Sequence, residues 1–425
     1  MKNKQYPDIG ESLYAETLPN GLRLRVVPKP GFRSRCAVLA VNYGGAHRRF
    51  SVDGQTADTP AGVAHYLEHK MFDLPEGDNA LELLSADGAD PNAFTSAGIT
   101  CYFFDCTEHF EENLRRMLHV VCTPHFTEET VQKERGIIGQ EIQMGEDSPG
   151  NALYYGLLRQ LYAHHPIRDK VAGSLESIAQ ITPELLNDCY RVFYAPCNLC
   201  LCVTGDVDPE EIARIAREIL PAEPGSLPSA DFGDPEDLLP LERLCRRQMP
   251  VSAPQFLIGA KLRPAKAGTP ALRQRLVSAL ALRLLVGASS DFYNRLYAQG
   301  LLSRDFDAEV DFSAGVGTLL IGGESPDPEA VLRALEDELQ RIGKEGLDPR
   351  RFELAKRASL GARLRGLEDF ESVCIALAEG VFEGFCVFDA PQLLQEIRVN
   401  ECEAFLRDTL SPERLAISIL EPGRN

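Results

Sequence analysis

Hydrophobic and polar positions alternate, or recur with a helical period, through most of the chain and divide it into two halves. In the first half, alternating apolar residues predict two strands within 20–44 and further strands at 93–106 and 196–206. Helical periods and capping residues predict helices at 61–72, 79–86, 110–121, 127–144, 182–194 and 209–219. The first half therefore mixes strands and helices.

The second half repeats this mixture. Alternating apolar residues predict strands at 244–262, 306–322 and 415–420. Helices are predicted at 269–286, 291–298, 328–343, 348–365, 368–381 and 399–410. Because the regular strand–helix alternation of a doubly wound sheet is absent, the sequence predicts an α+β fold.

The two halves also end alike. In the first, the helix at 182–194 is followed by Pro196 and an apolar strand. In the second, the helix at 399–410 is followed by Pro412 and another apolar strand. A recurring supersecondary unit indicates an internal duplication. We therefore predict two similar domains, each with a mostly antiparallel sheet packed by helices.

The boundary between these domains lies in a stretch of different composition. Residues 221–241 are crowded with proline, glycine, serine and acidic side chains and have no helical period, which is typical of a surface linker. We predict an N-terminal domain at 1–221, a linker at 222–243 and a C-terminal domain at 244–425.

Composition and charge narrow the possible partners. Of the 425 residues, 44% are hydrophobic and 25% are charged, which is ordinary for a globular protein. The 44 lysines and arginines against 63 acidic residues give a net charge of −19, which disfavours nucleic acid because phosphates would be repelled. No apolar run approaches the roughly 18 residues that a membrane span needs.

Targeting signals and cysteines bear on location. Residues 1–22 contain no apolar stretch of the kind found in secretory signals. Without such a signal, twelve cysteines indicate a reducing compartment in which most remain thiols. We therefore expect a cytoplasmic protein with no membrane partner.

His65-Tyr66-Leu67-Glu68-His69 is the sharpest chemical signal in the sequence. On a helix, His65 and His69 lie one turn apart on the same face, where two imidazoles can bind one zinc ion. Glu68 lies at the edge of that face and can take a proton from water whose pKa zinc lowers toward about 7. The order H-x-x-E-H matches the inverzincin signature, and the alternative is a polar helix with unrelated histidines.

A third protein ligand is needed, because zinc rarely stays bound to two. The helix predicted at 127–144 offers candidates, because one of its faces combines two carboxylates with two isoleucines, namely Glu134, Ile137, Ile138 and Glu141. An apolar face should not bury acids unless they are paired or bind a metal. A glutamate on a helix is more often solvated than a ligand, so the pattern alone leaves both interpretations open.

Together, these residues resemble the pitrilysin/insulinase family of zinc metallopeptidases. The histidine motif is followed by Glu134-Arg135 and Glu141-Ile142, at the spacing of that family. Other matching stretches are NAFT at 92–95, His165-Pro166 before Gly173, and the segment from Tyr194-Ala195-Pro196 to Gly205-Asp206. The resemblance runs through nearly all of the first half, and the short length is similar to two-domain bacterial members that pair with a second subunit.

The resemblance implies a function and the residues for it. It implies a peptidase that hydrolyses extended peptides and holds one zinc per chain through His65, His69 and Glu141. Glu68 would be the general base, and Glu134 would be a carboxylate that orients a histidine ligand. The substrate peptide would add by main-chain pairing to an edge strand that contains Asn92, Ala93, Phe94, Thr95 and Ser96.

The second half departs from the family pattern in one place. Many small members carry an arginine and a tyrosine in an L-R-x-x-x-G-L-x-Y stretch, whereas the nearest stretch here, LYAQGLLS at 296–303, has neither residue in its place and ends on Ser303 where the tyrosine would be. A complementary chain could supply the missing residues, so a homo- or heterodimer with a second pitrilysin-like subunit is a hypothesis. The alternative function is a non-catalytic peptide-binding or assembly subunit, which the intact motif disfavours. Removal of leader peptides is a narrower form of the peptidase prediction.

Overall fold

The computed structural model describes residues 1–74 and 79–423, so the last two residues of the predicted C-terminal domain lie outside the described residues. The described residues form fifteen strands and fifteen α-helices. None of the helices in these two ranges has the length and the apolar composition to cross a lipid bilayer.

The strands are β1 Lys2–Tyr6, β2 Glu11–Thr17, β3 Arg23–Pro28, β4 Arg35–Val41, β5 Arg49–Val52, β6 Gln55–Asp58, β7 Ala89–Thr95, β8 Thr100–Cys106, β9 Leu199–Gly205, β10 Ser229–Ala230, β11 Leu244–Met249, β12 Gln255–Leu262, β13 Asp307–Ser313, β14 Val316–Glu324 and β15 Ala416–Pro422. The helices are α1 Val63–Lys70, α2 Ala80–Ala86, α3 Phe110–Cys122, α4 Glu128–Glu146, α5 Pro149–Leu161, α6 Leu175–Ile178, α7 Pro183–Phe193, α8 Pro209–Ile219, α9 Thr269–Leu285, α10 Asp291–Ala298, α11 Pro328–Glu345, α12 Pro349–Gly366, α13 Phe370–Glu383, α14 Ala390–Glu396 and α15 Val399–Thr409.

One compact unit is built on a seven-stranded sheet with the order β1-β2-β3-β9-β4-β8-β7. β3 and β9 run parallel, and the other neighbours run antiparallel. The central strands β4 and β9 are buried on both faces, which explains their nearly continuous apolar sequences. One face packs against α1, α3, α7 and α8, and the other packs against α13. β7 lies at one end of the strand order.

The other compact unit is built on a five-stranded sheet with the order β11-β15-β12-β14-β13. β11 and β15 run parallel, and the other neighbours run antiparallel. The same order and the same parallel pair occur in the seven-stranded sheet as β3-β9-β4-β8-β7. The prediction of an α+β fold with two similar, mostly antiparallel sheets is confirmed.

Each compact unit contains segments from both halves of the sequence. The first comprises Met1–Gln143, Asp169–Phe232 and Leu364–Phe388, and the second comprises Met144–Arg168, Gly233–Arg363 and Asp389–Asn425. α5 therefore packs on β12 and β15 of the second unit, although it belongs to the first half of the sequence. α13 likewise packs on β4 and β9 of the first unit. The predicted boundaries at 221 and 244 describe the two duplicated halves of the sequence and stay a prediction. The two compact units are divided at other positions.

Some elements are not predicted by the sequence patterns. β1 and β2 form a hairpin, and β10, β5 and β6 form a separate three-stranded sheet. α5 begins after Ser148, whose side chain accepts a hydrogen bond from Asn151 N, and Pro149 occupies its first turn. Gly150 and Gly156 weaken the helical preference of this segment, which masks the start signal in the sequence.

A close backbone contact fixes the beginning of α1. Gly62 precedes the helix with φ 101°, and a Cβ there would lie 2.8 Å from Ala172 O. Gly173 has φ 78°, and a Cβ there would lie 2.6 Å from Ala61 O. Both positions therefore require glycine, because a side chain would meet backbone atoms.

Gly62→Ala is expected to destabilise the protein more than Gly54→Ala. Gly54 also has a positive φ, 78°, but a Cβ there would meet nothing within 4 Å. Its replacement should cost only the backbone strain of about 1–2 kcal/mol. At Gly62 the clash should add about 1–3 kcal/mol. Denaturant unfolding of both variants measures the difference, and equal losses would contradict a role for the close contact.

Candidate metal centre

Helix α1 carries both histidines of the motif. The rings of His65 and His69 have centroids 4.5 Å apart, and their side chains are only 17% and 20% exposed. The Tyr66 hydroxyl donates a hydrogen bond to Val131 O. This contact holds α1 against the first turns of α4, the helix that carries Glu134 and Glu141.

Glu141 meets the histidine pair. Its Oε2 lies 3.8 Å from His65 Nε2 and 3.5 Å from His69 Nε2. One ligand atom from each of the three side chains lies within 4.8 Å of the other two. Among the described residues, this is the one such convergence of three histidine, cysteine, aspartate or glutamate side chains.

The three residues fit a zinc ion. Zinc takes histidine nitrogen and carboxylate oxygen at about 2.0–2.2 Å, which in a tetrahedral site puts ligand atoms roughly 3.3 Å apart. The separations of 3.5 and 3.8 Å are slightly larger, so small side-chain movements would complete the set. Two histidines and one glutamate leave a fourth position for water or substrate, as catalytic zinc sites do.

Glu134 lies behind His69 and is 8% exposed. Its Oε1 is 2.9 Å from His69 Nδ1, while His69 Nε2 faces Glu141. Such a hydrogen bond orients the ring and favours the tautomer that presents the Nε2 lone pair to a metal. Burial lowers the pKa of His69, but the hydrogen bond to Glu134 and the charge of Glu141 outweigh it, so the pKa is raised.

His65 has a different environment. Burial, followed by the charge of His69, lowers the pKa of His65 to about 4. The ring is therefore neutral at neutral pH, and its lone pair is available without prior loss of a proton. His65 Nδ1 is buried and has no hydrogen-bond partner among the described residues. A carboxylate therefore orients one ring of the pair and not the other.

Glu134→Gln is expected to weaken zinc binding by about 10- to 100-fold. The substitution removes the charge that orients His69 but leaves all three proposed ligands, His65, His69 and Glu141, in place. Competition with a chromogenic chelator measures the affinity. Glu129→Gln is the matched control, because Glu129 is an exposed glutamate in the first turn of the same helix. Equal zinc affinities for the two variants would contradict the role of Glu134.

Glu68 is buried beside the histidine pair, with 7% of its surface exposed. Burial raises the pKa of its carboxyl, against the effects of a hydrogen bond from Thr95 and the charge of His69. Thr95 Oγ1 donates to Glu68 Oε2 at 2.6 Å. Glu68 Oε1 has no hydrogen-bond partner among the described residues, so it is the oxygen that can take up a proton.

The segment predicted to bind substrate lies at the edge of the seven-stranded sheet. Asn92, Ala93, Phe94 and Thr95 belong to β7, which pairs with β8. Asn92 is exposed, and its Oδ1 accepts a hydrogen bond of 2.8 Å from Ala93 N. The Ala93 amide therefore points away from β8, towards the outer edge of the sheet.

Ser96 lies beyond β7, in the turn that leads to β8. Its N donates to Ile99 O at 2.8 Å, and its O accepts from Gly45 N at 2.9 Å. Both backbone groups of Ser96 are therefore already bonded within the chain, whereas the Ala93 amide is bonded only to the side chain of Asn92.

Sequence reasoning misses two features of the protein. The first is that the Thr95 hydroxyl contacts Glu68. The second lies in the other compact unit, where an interaction with Tyr297 raises the pKa of the exposed Arg304 guanidinium. Arg304 directly follows Ser303, so this stretch contains a tyrosine and then an arginine, the reverse order of the family pattern. The adjacent arginine is the signal that could have indicated this pair.

Two family models and a curated relative match this chain. Residues 53–174 match the family described as insulinase, peptidase family M16, and residues 180–359 match the family described as peptidase M16 inactive domain. A Bacillus subtilis (strain 168) protein named uncharacterized zinc protease YmfH is 35% identical over 431 residues, which cover 99% of each chain.

Solved structures agree with the fold. The crystal structure of an M16-like peptidase from Alicyclobacillus acidocaldarius superposes with a TM-score of 0.92 at 31% identity, and the match covers 97% of this chain and 99% of that one. Pitrilysin superposes with a TM-score of 0.79 at 17% identity, and the match covers 99% of this chain and 46% of that one. The chain therefore belongs to the insulinase family of peptidases, peptidase family M16, in its short two-domain form.

Proposed function

We propose that this chain is a zinc-dependent peptidase that hydrolyses extended peptides. His65, His69 and Glu141 would hold one zinc ion per chain, and Glu68 would be the general base. The observation that carries the proposal is the approach of Glu141 Oε2 to both histidine Nε2 atoms, at 3.8 and 3.5 Å. The name of the Bacillus relative, a zinc protease, supports the same metal.

The residues around the centre suit general-base hydrolysis. A bound zinc ion would polarise a carbonyl and lower the pKa of water toward about 7. Glu68 Oε1 would accept the proton of the attacking water and pass it to the leaving amide nitrogen. Burial raises the pKa of Glu68 towards neutral pH, where a general base works best. Glu134 would keep His69 in the tautomer that binds metal.

The proposed substrate is a peptide that pairs with the outer edge of β7. An edge strand presents unpaired backbone groups, and an extended peptide can add to it as a further strand. The Ala93 amide is bonded to the side chain of the exposed Asn92, and a peptide carbonyl could displace that side chain. Backbone pairing tolerates varied side chains, so we expect broad cleavage of unfolded peptides.

The second candidate is a non-catalytic peptide-binding or assembly subunit. The match to the M16 inactive-domain family is the observation that favours it, and this match spans residues 180–359. All five residues of the proposed centre lie outside that range and inside the match to the insulinase family, namely His65, Glu68, His69, Glu134 and Glu141. The peptidase proposal is therefore the stronger one.

A partner subunit stays a hypothesis. It rests on the absence of the family's arginine and tyrosine from their places at 296–303. Because Arg304 directly follows Ser303 and interacts with Tyr297, this chain itself could supply both groups. Activity of the purified chain at the rate measured with any added partner would contradict a requirement for a second subunit.

The test is metal analysis followed by digestion of a library of unstructured peptides. We expect about one zinc per chain, new peptide ends in mass spectra, loss of cleavage after chelation and recovery when zinc is restored. A chain that binds these peptides equally well with zinc removed, and never cleaves them, would support the non-catalytic subunit instead.

A further inference from the structure

A hydrogen bond connects the edge strand to the proposed general base. Thr95 is the last residue of β7, and its Oγ1 donates to Glu68 Oε2 at 2.6 Å. Glu68 belongs to α1, so this bond joins two separate elements of the first compact unit. Bonds to a charged acceptor are shorter and stronger than neutral ones, as this distance indicates.

The proton donors around Thr95 leave one consistent arrangement. A threonine hydroxyl has a single proton to donate. Thr100 Oγ1 lies 3.2 Å from Thr95 Oγ1, but it also lies 2.9 Å from Tyr43 O, which can only accept. With the Thr100 proton directed to Tyr43 O, the Thr95 proton is directed to the Glu68 carboxylate. Each buried acceptor is then satisfied.

The backbone around Thr95 is held on both sides. Thr95 pairs with Thr100 in the β7–β8 ladder. Immediately after it, Gly45 N donates to Ser96 O and Ala46 N donates to Ala97 O, each at 2.9 Å. The Thr95 hydroxyl therefore has a fixed position, and it fixes one oxygen of Glu68 while the other, Oε1, stays free.

We infer that Thr95 is a positioning residue for Glu68 and does not itself bind substrate through its side chain. This inference rests on the proposed function. Because the backbone of β7 would align the peptide and the Thr95 hydroxyl aligns the base, one strand sets the position of both. A base held at the correct angle to the scissile bond affects the chemical step far more than it affects peptide binding.

Two substitutions separate the hydroxyl from the shape of the side chain. Thr95→Val keeps the branched shape and removes the hydroxyl, whereas Thr95→Ser keeps the hydroxyl. For Thr95→Val we expect kcat to fall by about 10- to 100-fold with KM within about twofold of the wild type. Thr95→Ser should recover most of kcat. Thr56→Val is the control, because Thr56 is an exposed strand residue that makes no contact with Glu68.

Measurements besides activity distinguish the inference from its alternatives. Zinc content should equal that of the wild type in all three variants, and thermal stability should be unchanged in Thr95→Ser and Thr56→Val. Thr95→Val should fold but melt at a lower temperature, because it leaves a buried carboxylate oxygen without its hydrogen bond. Crystal structures should find the Glu68 carboxylate rotated in Thr95→Val and unchanged in Thr95→Ser. If KM rises and kcat does not fall, the side chain contacts the peptide. If zinc is lost, or if Thr95→Val no longer folds, the role is structural. If Thr95→Val matches the wild type, or Thr95→Ser shares its loss, the inference is wrong.

Failure of the proposed function would look different. A wild-type chain that cleaves no peptide would overturn the peptidase proposal directly. The crystallographic orientation of Glu68 in the two variants would then still decide whether Thr95 positions that carboxylate. An unchanged Glu68 in Thr95→Val would overturn the positioning role even if the wild type is active.

Discussion

Glu68→Gln is expected to keep its zinc and to slow peptide hydrolysis by about 10²- to 10⁴-fold, the usual contribution of a general base. Glutamine has nearly the same shape, and its amide oxygen can still accept the hydrogen bond from Thr95. It has no carboxylate to take the proton from water. When both are measured on the same preparation, the rate of peptide cleavage should therefore fall while the zinc content stays at the wild-type value.

Glu82→Gln is the matched control for this variant. Glu82 is an exposed glutamate on α2 in the same compact unit, so its replacement removes the same charge without touching the centre. We expect wild-type rates for Glu82→Gln. Wild-type rates for Glu68→Gln as well would remove Glu68 from the mechanism, and loss of zinc from Glu68→Gln would turn it from a base into a structural support.

His65→Ala is expected to lower zinc affinity by more than about 100-fold, because it removes a direct ligand and not a group that only orients one. Two ligands would remain, His69 and Glu141, and zinc is rarely retained by two. Peptide hydrolysis should fall to background at limiting zinc. Zinc content after dialysis against a defined zinc buffer measures the loss.

Thermal unfolding gives a second measurement of the same loss. A ligand at 100 times its Kd stabilises the folded state by about 2.7 kcal/mol, so zinc should raise the Tm of the wild type and not that of His65→Ala. His119→Ala is the control, because His119 is an exposed histidine on α3, outside the converging group. One zinc per chain in His65→Ala would contradict the proposed ligand set.

Local patterns predict those parts of the site that lie on one helix. The one-turn spacing of His65 and His69 is a property of helix geometry, so it can be read from the sequence once a helix is expected. The approach of Glu141 to that pair depends on how α4 packs against α1, which no local pattern contains. Resemblance to a known family indicates Glu141, whereas the residues alone favour a solvated glutamate.

The same limit explains an incorrect part of the α4 prediction. The hydrophobic period placed Glu134, Ile137 and Ile138 on a shared face, but Ile137 is 42% exposed while Glu134 is 8% exposed. Ile138 is fully buried. A helical period identifies a stripe of residues about 100° wide, and it does not say which edge of the stripe meets the neighbouring elements.

Local patterns also do not predict which distant strands a helix packs against. Nothing in the sequence of α5 indicates that it packs on β12 and β15, which follow it by about a hundred residues or more. The α+β class and the duplication were predictable because each half repeats a similar order of elements. The partner of each helix depends on contacts between distant parts of the chain, and these emerge only in the folded structure.

The exchanged helix α13 has a consequence for synthesis of the protein on the ribosome. One face of the first sheet is covered by apolar residues of α13, including Phe370, Val373 and Leu377. The last central strand of that sheet, β9, ends at Gly205, long before α13 emerges. At a synthesis rate of about 5–20 residues per second, roughly 10–40 s would pass between the end of β9 and the synthesis of α13. If the sheet forms before α13 is made, the nascent chain would expose these apolar residues to aggregation during that interval.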